Sequence, residues 1–197
     1  MVNGLQMPVK VLAVDLDGTL LSCNSLHAYM RAGIKCLWRK RCLFTLAKAA
    51  SLLGARKLHL ISHTSMKFVM ARIVGWDNDV KIEFEKEISG KLNNKVLDII
   101  SRHLSKGGRA VLATAAFDFY IPSITALPFI ATQSANNPLR LENRGSAKAE
   151  ALTKWLEENQ CQLEAVITDD QVDDASLLEL PCPLKYIVRN GNPIPID

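Results

Sequence analysis

Short apolar runs that close on polar residues recur along this chain, at Val9–Val14, Arg109–Thr114, Phe129–Gln133, Ala165–Asp169 and Lys185–Arg189. The first is continuous rather than alternating, the pattern of a strand buried on both faces. Helical periodicity fills the gaps between runs. Val96, Leu97, Ile99, Ile100, His103 and Leu104 recur on one face, and Gly107-Gly108 stops that helix before the second strand. Ser146 is placed to cap a helix striped by Leu152, Trp155 and Leu156. This alternation predicts an α/β fold, a Rossmann-like parallel sheet of about five strands flanked by helices and joined by right-handed crossovers. Residues 23–92 break the rhythm, because they are rich in helix formers and contain no strand pattern. They predict an all-helical insertion into an α/β core formed by residues 1–22 and 93–197. The tail Asn190–Asp197 is turn-rich and expected to be irregular.

Composition narrows the class. A chain of 197 residues with 48% hydrophobic and 22% charged positions can bury a core and carry an insertion. Its net charge of +4 is too small to argue for nucleic acid, and no such partner is expected. The distribution of charge is more informative. Arg31, Lys35, Arg39, Lys40, Arg41, Lys48, Arg56, Lys57 and Lys67 follow one another with no Asp or Glu among them, while acids gather at Asp77–Glu87 and Glu157–Glu179. Five cysteines without C-x-x-C spacing argue against zinc or a secreted disulfide framework and for a reduced, cytoplasmic setting. No secretory leader is visible. The longest near-apolar stretch, Cys42–Ala55, is interrupted by Lys48 and too short to span a bilayer.

The candidate chemistry sits at strand ends. Asp15 and Asp17 follow the first strand, where open α/β sheets bind ligands, and Gly18 frees the backbone for a sharp exit. Burying two carboxylates is costly unless a cation or a shared proton compensates. The bland alternative is an acidic surface turn. Thr114 ends the second strand with a hydroxyl and fresh amides, or simply ends it. Lys148 lies in the first turn of a helix, which the helix dipole disfavours unless an anion intervenes; a solvated lysine is the alternative. A second acidic cluster, Asp169, Asp170, Asp173 and Asp174, directly follows a buried strand, with Asp170 and Asp174 read as loop acids or helix caps.

In this order, D-x-D-G-T at 15–19, the strand-end Thr114, the helix Lys148 and the acidic segment from Thr168 resemble the haloacid dehalogenase superfamily of phosphohydrolases. The resemblance covers nearly the whole chain. It implies that Asp15 is the nucleophile, forming an aspartyl-phosphate, and that Asp17 is the general acid and base. Asp15, the backbone carbonyl of Asp17, and Asp169 would hold Mg²⁺. Thr114 and Lys148 would bind the phosphoryl group, and Asp173 would orient the surroundings of the metal. Asp17 favours phosphoester hydrolysis over dehalogenation, since a halide leaves without a proton. The segment departs from the family pattern at Thr168, where Gly is usual, and at Asp170, where Ser is common. Asp174 can exchange roles with Asp173.

The position of residues 23–92 matches the family's helical cap domain. Trp38, Phe44, Leu46, Leu52, Leu53, Leu58 and Leu60 stand among its cations, a mixture suited to peripheral contact with an anionic membrane, or to an ordinary cap with a solvated basic face. Wording around Val111–Ala116 and Gly145–Ala149 is loosely similar to phosphatases of lipid and prenyl-phosphate metabolism. His59 and His63 share a helical spacing but lack a third ligand in sequence and read as surface or packing residues. Cys23 is given no role. The expectation is a Mg²⁺-dependent phosphomonoester hydrolase acting on a lipid-linked or other small phosphorylated substrate. The alternatives are a phosphomutase or phosphotransferase, and a module of this fold that binds phosphate without turnover.

Overall fold

The apolar run at Val9–Val14 becomes an interior strand, β1, whose Val11, Leu12, Ala13 and Val14 are all buried. Val11 and Ala13 pack on one face of the sheet with Leu152, Val166 and Leu177, while Leu12 and Val14 join the larger core on the other. Both faces are covered, so the strand reads as continuously apolar. The computed structural model describes residues 8–135 and 137–196. Its other strands are β2 (Arg109–Phe117), β3 (Phe129–Thr132), β4 (Cys161–Thr168), β5 (Leu184–Arg189) and β6 (Asn192–Ile196). They form one sheet ordered β3-β2-β1-β4-β5-β6, parallel except for β6 against β5.

The expected α/β sheet is therefore present, with one strand more than the sequence pattern indicated. The tail is not irregular. Asn190 and Gly191 take positive φ angles of 50° and 74°, the backbone of a tight hairpin turn, and return the chain as β6. Pro193 and Pro195 are tolerated there because β6 is an edge strand. Asp197 and residues 1–7, on which part of the reading of the two ends rests, lie outside the described residues.

Four helices separate β1 from the helix before β2: α1 (Ser25–Arg39), α2 (Leu43–Lys57), α3 (His63–Val74) and α4 (Asn78–Ile88). Asn24, Ser62 and Asp77 cap α1, α3 and α4 by accepting from the amides of His27, Ser65 and Val80; α2 starts at Cys42 without a side-chain cap. The helix α5 (Asn94–Ser105) then leads into β2, and α6 (Ser146–Glu158) and the short α7 (Ala175–Leu178) complete the chain. Ser146 does not cap α6. Gly145, at φ 60°, takes the cap position, and Ser146 is the first helical residue.

The helices are anchored to the sheet layer by aromatic packing. Tyr29 of α1, Trp76 and Phe84 meet Phe119 and Tyr120 of the 3₁₀ turn after β2, with ring centroids 5.2–6.2 Å apart. Such pairs add about 1 kcal/mol each beyond burial. The Tyr29 hydroxyl donates to Gly75 O at 2.8 Å, fixing the α3–α4 turn. The two chain passages into and out of the four helices run side by side, with Ser22 N donating to Lys91 O at 2.8 Å and Asn93 N to Leu20 O at 2.9 Å.

Candidate active site

The carboxylates of the first motif are positioned by the sheet itself. Asp15 N still donates to Ile167 O of β4 at 2.9 Å, so Asp15 is held at the strand end while the chain turns away behind it. The turn closes through Gly18 N to Leu21 O at 2.8 Å and Leu21 N to Leu16 O at 2.8 Å. Gly18 is required twice. Its φ is +77°, and a Cβ there would sit 1.9 Å from Asp169 Oδ2. Thr19 Oγ1 donates to Asp169 Oδ1 at 3.3 Å, so the second acidic cluster is drawn onto the first.

Lys148 is the hinge of the charge balance. Buried at the start of α6, its ammonium donates to Asp15 Oδ1 at 2.6 Å and to both oxygens of Asp174 at 2.8 Å. Burial works to lower the Lys148 pKa, but Asp15 and Asp174 outweigh it and hold the ammonium above its usual range. Burial pushes the Asp15 carboxyl up to about 7, against the pull of Lys148 and with help from Asp174 and Asp17. Thr168 Oγ1 donates to Asp174 Oδ2 at 2.5 Å. The residue that departs from the family pattern thus gives the buried acid another donor.

Asp17 is held by α1. Ser25 N donates to Asp17 Oδ1 at 2.7 Å and Ser25 Oγ to Oδ2 at 3.1 Å, with the Tyr120 hydroxyl 3.2 Å from Ser25 Oγ. Burial raises the Asp17 pKa, opposed by the two Ser25 bonds and by Lys67. Thr114 does not end β2, which runs on to Phe117 with a register shift after Ala113; it lies buried inside the strand towards the same end of the sheet, its Oγ1 accepting from Ala116 N at 3.1 Å. Asn143 donates to Thr114 O at 2.9 Å, and Lys67 of α3 donates to Ala115 O at 2.6 Å and Glu142 Oε2 at 2.9 Å.

These side chains share one cleft of about 500 Å³. Its floor holds Asp15, Asp17, Thr114, Lys148 and Asp169 together, the residues singled out in the sequence. Its lining also holds Arg56, His63, Lys67, Glu142 and Arg144, which sequence reasoning missed as site residues. For Lys67 a signal existed: a lysine between the apolar Met66 and Phe68 on a helix that must bury that stripe. His59 does not line the cleft, whereas His63 does, its Nδ1 4.0 Å from Glu142 Oε1. Cys23 packs against the core and does not line the cleft.

Asp173 and Asp174 divide differently from the expectation. Asp170 Oδ1 accepts from the amides of Val172 and Asp173 at 2.8 and 2.9 Å, curling the loop as a loop acid does. Asp173 pairs with Arg144 at the half-exposed rim of the cleft, which both side chains line, and Asp174 turns inward to Lys148. Asp174 is therefore neither a loop acid nor a side-chain cap of α7.

The donor set suits a hard divalent cation. Four carboxylates, Asp15, Asp17, Asp169 and Asp174, line the cleft with two buried ammoniums, Lys148 on Asp15 and Asp174 and Lys67 on Glu142, and burial raises Asp15, Asp17 and Asp169 alike. Among the described residues no three His, Cys, Asp or Glu side chains form a cage by themselves. Two carboxylates and a backbone carbonyl fit Mg²⁺, which keeps several waters.

Residues 12–179 match the sequence model of the haloacid dehalogenase-like hydrolases. No curated protein matches the chain in sequence. Among solved structures, a protein of unknown function from Bordetella pertussis Tohama I is similar at 20% identity and TM-score 0.66, over 88% of this chain and 87% of that one. A phosphoserine phosphohydrolase-like protein from Francisella tularensis subsp. tularensis SCHU S4 is similar at 15% identity and TM-score 0.56, over 90% and 86%. A phosphoserine phosphatase described as a phospho-aspartyl intermediate analogue follows at 13% identity and TM-score 0.54, over 91% and 86%. These likenesses establish the fold.

Proposed function

The chain belongs to the haloacid dehalogenase-like hydrolase family, and from that premise we propose that it hydrolyses phosphomonoesters through Asp15. The observation that carries this reading is the bond from buried Lys148 to Asp15 Oδ1, in a cleft shared with Asp17, Thr114 and Asp169. A buried carboxylate at a strand end, ionised only with help from a neighbouring cation, is an activated nucleophile. The similar phosphoserine phosphatase, with its phospho-aspartyl analogue, is consistent with that chemistry.

The steps follow from the residues. An Asp15 oxygen attacks phosphorus, and the bond from phosphorus to the ester oxygen breaks. Asp17, whose pKa burial raises, carries the proton that the leaving alkoxide takes. Asp17 then accepts a proton from the water that attacks phosphorus, releasing phosphate and restoring Asp15. Thr114 and the amides after it, with Lys148, hold the phosphoryl oxygens. Asp15, Asp169 and the carbonyl of Asp17 would hold Mg²⁺, which would supply positive charge to the nucleophile and the phosphoryl group. Asp174 takes the supporting place expected of Asp173, by orienting Lys148.

Residues 1–22 and 93–197 serve as the catalytic core and residues 23–92 as a cap that selects the substrate. Arg56 and Lys67 bring cations to the lining of the cleft, and His63 an imidazole that burial holds below its usual pKa, which suits a small polar or lipid-linked phosphomonoester. The test uses p-nitrophenyl phosphate with Mg²⁺, with EDTA, and with Asp15→Asn. Wild type turns over only with metal, and Asp15→Asn loses at least about a thousandfold in kcat. Hydrolysis that persists in Asp15→Asn would sink the mechanism. The same variant has a stability readout. Metal-free wild type carries a carboxylate raised from 3.8 to about 7, so it loses stability as pH rises between those values. Asp15→Asn is expected to escape that loss and melt higher than wild type at about pH 8.

A further inference from the structure

Among the four helices before α5, α2 is the one left uncovered. Ala49 is its single buried residue. Leu46, Leu52 and Leu53 lie on the half-buried side, yet the solvent side is apolar as well, carrying Leu43, Phe44, Ala47, Ala50 and Leu58. A helix apolar on every side is ordinarily buried. Here Leu43 is 67% exposed, Phe44 75% and Leu58 71%, and Trp38 before the helix and Leu60 after it are 71% and 73% exposed. Ser51 hides its polarity by donating to Ala47 O at 2.9 Å, and Gly54 faces open space.

The charges around this face have one sign. Arg41, Lys48 and Lys57 flank it, and no acid occurs between Arg31 and Lys67. Lys48 Nζ lies 4.4 Å from the centroid of the Phe44 ring, keeping its ammonium beside the apolar stripe. Lys40, by contrast, is engaged by Asp77 and Asp79 at 2.8 Å each. A second copy docked face to face about a two-fold axis would set these cations against their own copies. An anionic surface meets both characters at once, taking apolar side chains below the headgroups and cations at phosphate level. Among the described residues no helix is long and apolar enough to cross a membrane. Fifteen residues of α2 give about 22 Å of helix to lie along one.

We propose that α2 is a membrane-docking helix that lies flat on an anionic bilayer, inserting Leu43, Phe44 and Leu58 and holding headgroup phosphates with Arg41, Lys48 and Lys57. Docking stands apart from the phosphatase reading. Resting on that reading, it also has a consequence for the substrate: Arg56 lines the catalytic cleft from the inner side of the same helix, so the cleft opens beside the headgroup layer.

The test is co-sedimentation of the full chain with phosphatidylcholine vesicles, with and without about a third phosphatidylglycerol. Wild type is expected to sediment with the anionic vesicles and to be released by about 0.5 M NaCl. Phe44→Asp with Leu58→Asp is expected to lower the bound fraction at least about tenfold, and Lys48→Gln with Lys57→Gln about tenfold. Circular dichroism melts confirm that these surface variants fold. Failure of wild type to prefer anionic vesicles would overturn the proposal. So would light scattering that shows a dimer which Phe44→Asp with Leu58→Asp turns into a monomer, because the face would then belong to a second copy. Vesicle binding is read without turnover, so a failed phosphatase assay and a failed docking assay are separate results.

Discussion

The floor and the roof of the cleft are built by different rules. Asp15, Asp17, Thr114 and Asp169 stand at or within a few residues of the ends of three neighbouring parallel strands, and Lys148 stands in the first turn of a helix. Once β1, β2 and β4 pair, these groups have nowhere else to go. The roof is made by Arg56 and Lys67, on different helices, and by His63, Glu142 and Arg144. Each is placed by how a helix is rotated or a loop is pinned. The floor is thus a property of sheet topology, while the roof is a property of packing. A floor variant should strike chemistry and stability together, whereas a roof variant should bear mainly on the fit of the substrate.

Lys148→Met is the most severe way to break this comparison. It strands Asp15 and Asp174 in the interior without their cation, and uncompensated buried charge costs about 3 kcal/mol or more. The sign of its pH dependence is fixed. Asp15 already titrates near 7 rather than 3.8, and loss of Lys148 would move it higher. The destabilisation is therefore smallest near pH 4, where folded wild type and folded variant both carry a protonated Asp15, and grows as pH rises through 7. Urea unfolding at about pH 5 and pH 8 reads the difference. A penalty independent of pH would show that Lys148 matters through packing rather than charge. Turnover should fall about a thousandfold, since phosphate and nucleophile lose the same ammonium.

A finer contrast lies inside the floor. Asp174→Asn keeps the shape but weakens the hold on Lys148 and on Thr168 Oγ1, and is expected to lower kcat about thirtyfold through misplacement of a buried group. Asp173→Asn removes a half-exposed pair with Arg144 at the rim of the cleft and leaves Lys148 untouched, for which less than about threefold is expected. Equal effects from steady-state kinetics of the two variants would refute the division between them.

The floor was legible in the sequence because each of its residues is tied to an element end. Periodicity located the strands, the right-handed crossover limited their order, and short motifs did the rest. The failures have local physical causes. Asn190-Gly191 is a strong hairpin signal, but Pro193 and Pro195 disguised the edge strand behind it. The sequence left Asp173 and Asp174 exchangeable, because their orientations depend on Asp170, whose side chain collects two amides and curls the loop. Ser146 failed as a cap because Gly145 could take the positive φ that the entry to α6 uses. The roof left almost no trace, since helical spacing gives a face and not the neighbour it meets. Glu142 had no signal at all. Lys67 had one, an ammonium set in an apolar stripe.

Lys67 therefore offers the sharpest test of the roof. Its side chain is 3% exposed, and it crosses from α3 to Ala115 O of β2 and to Glu142 in the connection between β3 and α6, with Phe117 beneath it at 4.8 Å. Burial lowers its pKa, against the pull of Glu142. Lys67→Met keeps the packing against Phe117 and removes the donor, leaving the Ala115 carbonyl with Thr132 Oγ1 at 2.6 Å. The expected loss is about 1–2 kcal/mol of stability, since one partner of Glu142 goes unmatched. If Lys67 holds the roof over a bound ester, KM for a small phosphomonoester should rise about tenfold while kcat falls less than about threefold. A fall in kcat with KM unchanged would mean that Lys67 acts through Ala115 on the β2 backbone beside Thr114. It would then belong to the floor, and the boundary between the two walls would lie one helix further out.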